Sequence, residues 1–379
     1  MSAEKPRLDE IYVFSYSFCM SELETGQTFK GRGAVGNPAG RFAHTHSEVV
    51  EDEWQAGTDL DRAPDTRLMP DPARRIISRN SSPDLPFNLS INPYRGCEHG
   101  CIYCFARPSH SFLDVSPGLD FETRLFYKQN AAGLLEKALS RPGYRPSPIA
   151  LGMNTDAYQP VEREQRVTRD LLEVLWRFRH PVSLLTKSRL VLRDIDLLAE
   201  MAAHNLVTVG MSITTLDDDL KRRLEPRTTG PASRMQTLAR LSNAGIPTTV
   251  MVAPVIPALT DHELEHILEQ AGAAGATGAG YVLLRLPHEV APLFRQWLQV
   301  HYPQRAARVM SQLRQARRGK DYDARWGERL SGSGVYARLL RQRFEIACRR
   351  YGLNDDERAG MRHSDCSQFR VPGRQQSLF

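Results

Sequence analysis

Between Leu89 and Leu286 two patterns of apolar and polar residues alternate along the chain. Short apolar runs read as buried strands: Pro146–Asn154, Pro181–Ser188, Leu206–Thr214, Ile246–Ile256 and Gly278–Leu286. Between them apolar residues return every three to four positions, as on one helix face, over Ala131–Ser140, Thr168–Phe178, Arg193–Asn205, Ala232–Gly245 and Asp261–Ala271. Strands that are apolar on both faces need layers on both sides, so repeated strand–helix units predict a parallel sheet. About six such units fit an α/β fold of the partial parallel β/α barrel type. A doubly wound dinucleotide fold fits less well, because no Gly-x-Gly-x-x-Gly follows any of these strands.

The flanks differ. Residues 1–85 show no clean period and are rich in Gly and Pro, which predicts a largely irregular, poorly ordered extension and linker. Residues 86–290 form the barrel, residues 291–353 a helical basic extension, and residues 354–379 a polar, flexible tail. The apolar stretch Ile11–Met20 follows a mixed-sign flank and precedes no small-residue cleavage site, so it reads as a non-cleaved extension. Met20 offers an alternative start that leaves residues 1–19 untranslated.

Composition adds little: 41% hydrophobic and 25% charged residues allow a sizeable core. No apolar run is long enough to cross a bilayer, so no membrane is expected as a partner. Charge is more informative. Residues 301–350 hold 13 Lys/Arg against 4 Asp/Glu, or +9 in a chain whose net charge is +6. Such a stretch suits contact with nucleic acid; a solvated helix face is the plainer alternative.

Six cysteines are present, and three lie within eight residues. A disulfide framework would disperse them, so this usage predicts a reducing cytoplasm and a metal site. The segment Asn92–His110 carries Cys97-x-x-x-Cys101-x-x-Cys104, with Tyr103 before the last cysteine and Gly96 and Gly100 giving the loop room. Three thiolates would leave one iron of a 4Fe–4S cube open to a cofactor. Zinc remains an alternative, with His99 or His110 as a closing ligand.

Cys-x-x-x-Cys-x-aromatic-Cys followed by β/α units resembles the radical S-adenosylmethionine (SAM) superfamily. Further words resemble its spore photoproduct lyase-like, or "DNA repair photolyase", branch. These are the segment from Asn92 to Arg107, TDAYQPVE (Thr155–Glu162), TKS (Thr186–Ser188), Glu225-Pro226 and APVIP (Ala253–Pro257). The resemblance runs from about Gly31 to Leu353. It implies a 4Fe–4S cluster on Cys97, Cys101 and Cys104, SAM as cosubstrate, and a 5′-deoxyadenosyl radical that takes hydrogen from the substrate. It also implies an electron donor such as a flavodoxin or ferredoxin.

Barrel enzymes place functional residues at the carboxyl ends of strands. Asn154, Thr155 and Asp156 end one strand, Lys187 and Ser188 the next, Ser212 and Thr214 a third, and Arg285 stands near the end of the last. By resemblance Thr155, Lys187 and Ser212 contact SAM, with Tyr103, Asn154 and Asp156 beside them. Some of these residue types also favour helix caps. One departure stands out: the lyases carry a hydrogen-donor cysteine in the stretch that here reads Leu151-Gly152-Met153. Repair of spore photoproduct is therefore in doubt, and the catalytic residue is unassigned.

The last five residues, Gln375–Phe379, resemble the short peptide by which bacterial repair proteins bind the sliding clamp, with Gln376 where leucine is usual. Three functions remain open: radical chemistry on nucleic acid, the same chemistry on a protein or small molecule, and a non-catalytic metal module gripping nucleic acid.

Overall fold

The computed structural model describes residues 28–43, 64–355 and 365–373. Residues 1–27 and the clamp-like peptide Gln375–Phe379 lie outside the described residues.

The strands in chain order are β1 (Arg67–Pro70), β2 (Ile77–Arg79), β3 (Leu89–Ile91), β4 (Tyr94–Arg95), β5 (Arg124–Tyr127), β6 (Ile149–Leu151), β7 (Val182–Thr186), β8 (Val207–Ser212), β9 (Thr248–Val255) and β10 (Gly278–Leu283). The helices are α1 (Asp120–Thr123), α2 (Ala131–Leu139), α3 (Glu162–Gln165), α4 (Val167–Arg177), α5 (Ile195–Ala203), α6 (Asp218–Leu224), α7 (Pro231–Asn243), α8 (Leu264–Ala273), α9 (Val290–His301), α10 (Pro303–Gln315) and α11 (Gly334–Arg350).

Six strands, β3, β6, β7, β8, β9 and β10, pair in parallel in sequence order, and β2 adds antiparallel to β3 at one edge. Strand order that never reverses makes each right-handed crossover lay its helix on the same side. The result is a singly wound, open barrel of six parallel strands, the predicted class. Every parallel strand runs the same way, so all carboxyl ends share one rim.

Local chemistry explains the elements. In α4 the residues Val167, Leu171, Leu172, Val174 and Leu175 are buried, while Arg169 and Glu173 pair at i,i+4 across 2.8 Å. Helix α6 starts where the Asp217 carboxylate accepts from the Asp219 and Leu220 amides. Helix α7 has Pro231 in its first turn, where the missing N–H costs nothing. All six residues of β8 are buried.

Two findings change the picture of the flanks. In the stretch expected to be irregular, β1 pairs with β5 and β2 extends the main sheet. The start of the basic extension shares a core with the cysteine loop: Ile102 and Tyr103 cluster with Leu220, Leu224, Trp297, Leu298, Val309 and Leu313. The Trp297 indole also donates to the Arg223 carbonyl at 3.1 Å.

The turn into β7 carries a buried histidine. The neutral ring fits with Nδ1 donating to the Pro181 carbonyl at 3.0 Å and Nε2 accepting from the Tyr144 hydroxyl at 2.8 Å. Burial pushes His180 down to about 4. A depressed folded value stabilises above the unfolded value near 6.5 and is lost as pH falls toward 4. Denaturant titrations should show wild type losing about 3 kcal/mol through that window relative to His180→Asn. A constant difference between the two proteins across the window would contradict this account.

Candidate active site

The cysteine loop leaves β4 and is held by backbone and buried charge. Gly96 and Gly100 adopt left-handed φ values of 78° and 66°. A Cβ on Gly96 would lie 2.6 Å from Leu125 and 2.9 Å from the Phe121 carbonyl, so no side chain fits there. Gln159, fully buried, accepts from the Glu98 amide at 2.8 Å and donates to the Gly96 carbonyl at 3.2 Å. The Ile102 amide donates to the Leu224 carbonyl at 3.1 Å.

Beyond the cysteines, Arg107 donates to the carbonyls of Cys101, Pro117 and Gly118 at 2.8–3.1 Å. Its other arm pairs with Glu122 at 2.5 Å, both side chains being fully buried. The same Glu122 carboxylate accepts the Gly33 and Ala34 amides at 2.9 and 2.8 Å. Residues 31–36 therefore strap the cysteine loop. A Cβ on Gly33 would fall 1.8 Å from the Gly100 carbonyl oxygen, which explains the glycine.

None of the five described cysteines is in a disulfide. Cys97 and Cys101 are buried and Cys104 is partly exposed. All three thiols are pushed up, first by burial; Cys97 is also raised by Asp156 and by Cys101 and Cys104, and Cys101 by Glu225 and Cys104. Mutually close, buried thiols resist ionising alone, and a concentrated positive charge reverses that balance. Three free thiols on one constrained loop, within electrostatic reach of one another, are a donor set that fits an iron–sulfur cluster. Among the described residues no three His, Cys, Asp or Glu side chains converge as they would on a single ion. His110 bonds the Arg124 carbonyl at 3.0 Å and His99 Nδ1 lies 3.3 Å from Asp156.

The strand rim brings the predicted polar residues together, with different jobs. Thr155 is buried and donates to the Tyr94 carbonyl at 2.9 Å. Asp156 accepts from the Thr186 hydroxyl, the Lys187 amide and the Tyr158 amide at 2.7–2.8 Å. Burial alone would raise this carboxyl; His99 and the two amides outweigh it and hold it low. Both residues tie β6 to its neighbours. Ser188 is a cap, accepting from the Leu190 amide at 3.2 Å. Asn154 is exposed, anchored through its amide to Asn92 at 2.9 Å.

Lys187 lies at the centre. Its ammonium donates to Ser212 at 2.6 Å, Ala253 carbonyl at 3.2 Å and Thr214 at 3.3 Å, and sits 5.7 Å above the Tyr103 ring. Glu225 approaches it at 3.2 Å. This carboxylate, fully buried, also accepts from Thr214 at 2.6 Å and from Tyr103 and Arg234. Sequence reasoning noted Glu225-Pro226 only as a word; a carboxylate ahead of a proline was the available signal. The strap and the Arg107–Glu122 pair were missed.

A family model described as the radical SAM superfamily matches residues 91–271. An uncharacterized protein of Mycobacterium tuberculosis is 38% identical over 276 residues, 72% of this chain and 77% of its own. A "Radical SAM Nalpha-GlyT isomerase" of Pseudomonas phage M6 is 25% identical over 190 residues, 49% of this chain and 37% of its own. A solved spore photoproduct lyase variant with dinucleoside spore photoproduct superposes with a TM-score of 0.50 at 13% identity, over 76% of this chain and 80% of that one. At that identity the likeness is one of fold. The chain belongs to the radical SAM superfamily, and it is an enzyme of that class, with a 4Fe–4S cluster and SAM as its cofactors.

Proposed function

We propose that this radical SAM enzyme repairs or modifies nucleic acid. The observation that carries the reading is an exposed aromatic pair formed by Phe112, on the segment leaving Cys104, and Phe42, on the N-terminal described segment. Phe112, 70% exposed, packs at a tilt of 36° against Phe42, 48% exposed, with ring centroids 4.9 Å apart. Arg41 lies 5.2 Å from the Phe42 ring and is fixed by Glu289 at 2.6 Å. Exposed aromatics beside arginine are a stacking platform for unpaired bases, each stacked base contributing about 1–3 kcal/mol.

The basic stretch supports the reading less than its charge suggests. Arg314 pairs with Asp321, Arg318 with Glu328, Arg325 with Asp323, Arg329 with Asp84 and Arg343 with Glu265. Arg317 is buried and donates to four carbonyls. Arg305, Arg308 and Arg338 remain exposed for phosphate. No helix among the described residues is long and apolar enough to cross a membrane.

In this proposal Cys97, Cys101 and Cys104 hold the cluster, and Asn154, Lys187, Ser212 and Tyr103 line the SAM site. Bound there, cluster and SAM supply one-electron chemistry that takes hydrogen from an unactivated carbon. A small redox protein such as a flavodoxin or ferredoxin supplies the electron. Thr155 and Asp156 position the rim. Glu225 is shared between Lys187 and Arg234, and the Lys187 ammonium already donates to Ser212, Thr214 and the Ala253 carbonyl, so SAM would take one of these bonds over rather than meet a free lysine. The clamp-like peptide Gln375–Phe379 would bring the enzyme to replicating DNA.

Anaerobically reconstituted enzyme incubated with DNA and RNA should yield an altered nucleoside by mass spectrometry. Phe42→Ala with Phe112→Ala should weaken binding of a single-stranded oligonucleotide about 5- to 100-fold. Unchanged affinity would remove this face from the substrate path.

A further inference from the structure

Arg285 stands just past β10, at the rim that holds the cysteine loop. The backbone of the two residues before it is fixed. The Leu283 amide bonds the Leu330 carbonyl at 2.8 Å, the Leu284 amide bonds Val255 at 2.9 Å, and Arg317 grips the Leu283 and Leu284 carbonyls at 3.0 and 2.9 Å. The guanidinium lies 4.2 Å from the ring centroid of Phe105, the residue after Cys104.

The side chain is half-buried and, among the described residues, has neither a hydrogen bond nor an ion pair; the ring is its only specific contact. The nearby carboxylate is taken: Asp84 pairs with Arg329 at 2.5 Å and accepts the Gly327 amide at 2.6 Å. The neighbouring Arg317 directs both its terminal NH₂ groups at carbonyls and adds positive charge. Burial lowers the Arg285 value, so the protonated group is under-solvated where it stands. Every other buried cation around the cysteine loop has found an acceptor: Arg107 has Glu122, Arg234 has Glu225, and Arg317 has its carbonyls.

We infer that Arg285, laid on Phe105 at the cluster mouth, binds a phosphate of the substrate. A guanidinium whose face is stacked on a ring still presents its N–H edge, and that fork matches two oxygens of a phosphate. The ring then serves a second purpose, since a contact at 4.2 Å restricts where the guanidinium can swing. The rigid backbone and the stacked ring supply preorganisation, so little side-chain entropy remains to be lost on binding. The inference rests on the nucleic-acid reading for its choice of oxyanion, and the phosphate can belong to a nucleic acid or to a small phosphate ester.

The test uses anaerobic holoenzyme, with a labelled single-stranded oligothymidylate and inorganic pyrophosphate titrated separately. The variants are Arg285→Gln, Arg285→Lys and, as a distant control on α7, Arg240→Gln. SAM affinity, iron content and cluster potential are measured alongside. Arg285→Gln should weaken both probes about 10- to 100-fold with iron content and SAM affinity unchanged. Arg285→Lys, which keeps charge and loses the fork, should fall between. If the oligonucleotide binds wild type and Arg285→Gln equally, the phosphate site is wrong while the nucleic-acid reading stands. If pyrophosphate alone binds, and needs Arg285, the site stands and the nucleic-acid reading falls. Binding of neither probe to wild type overturns both. A loss of SAM affinity, or a shift of cluster potential with both probes bound as before, overturns the inference by giving Arg285 to the cofactors.

Discussion

Replacing Cys97, Cys101 or Cys104 with alanine is expected to leave anaerobically purified protein without stoichiometric iron and to abolish 5′-deoxyadenosine formation. The expectation rests on how tightly the loop is held. Gln159 fixes the backbone on both sides of Cys97, through the Gly96 carbonyl and the Glu98 amide, and Arg107 fixes the Cys101 carbonyl. A loop so constrained cannot bend to bring in another donor. The other described thiols are committed elsewhere: Cys348 is buried in α11 beside Asn354, and Cys366 lies near Tyr144. His110 is tied to the Arg124 carbonyl and held down to about 4 by burial, and His99 faces Asp156. The loss should be local. Cys104 is partly exposed and a thiol-to-methyl change removes little buried surface, so Cys104→Ala should keep its circular dichroism while losing the visible absorption and reduced-state paramagnetic signal of the cluster. Stoichiometric zinc without iron in the wild type, or full iron in Cys104→Ala, would sink the assignment.

The sheet was legible because period and burial coincide. The run Pro181–Ser188 became β7 at Val182–Thr186, and Thr168–Phe178 became α4 at Val167–Arg177, each offset only at its ends. The cysteines were legible because their spacing is itself the chemistry. Residues 31–36 were not, since they dock by backbone amides and a missing Cβ, and neither leaves a hydrophobic period. Their partner Glu122 is also 88 to 89 residues away. Charge in residues 301–350 was countable, but its pairing was not: nothing local distinguishes buried Arg317 from exposed Arg318 next to it. At the rim, residue type was legible and role was not. Thr155 and Ser212 carry the same hydroxyl, yet one bonds the Tyr94 carbonyl and the other receives the Lys187 ammonium.

Glu225→Gln should destabilise the folded protein by about 3–5 kcal/mol, the cost of stripping a buried ion pair of one partner. Here one carboxylate answers two cations, Arg234 at 1% side-chain exposure and Lys187 at 15%. Glutamine keeps the shape but not the pattern. Its carbonyl can still accept from Thr214 and Tyr103, and its NH₂ must then face the Arg234 guanidinium, donor against donor. The pH dependence has a definite sign. Burial alone would raise this carboxyl, but Arg234 and Lys187, with Thr214 and Tyr103, hold it well below its ordinary 4.5. A depressed carboxyl contributes fully above its unfolded value and is lost as pH falls through the folded one. The gap between wild type and Glu225→Gln in denaturant unfolding should therefore be flat above about pH 4.5 and close only in stronger acid. A second readout separates holding the fold from holding the site. Lys187→Met alone leaves Arg234 to balance Glu225, so it should cost less stability. In the Glu225→Gln background the same change should cost less still, since the buried cation it removes is no longer paired. Additive losses would mean that Glu225 and Lys187 are neighbours without being partners, and that Arg234 alone holds the buried carboxylate.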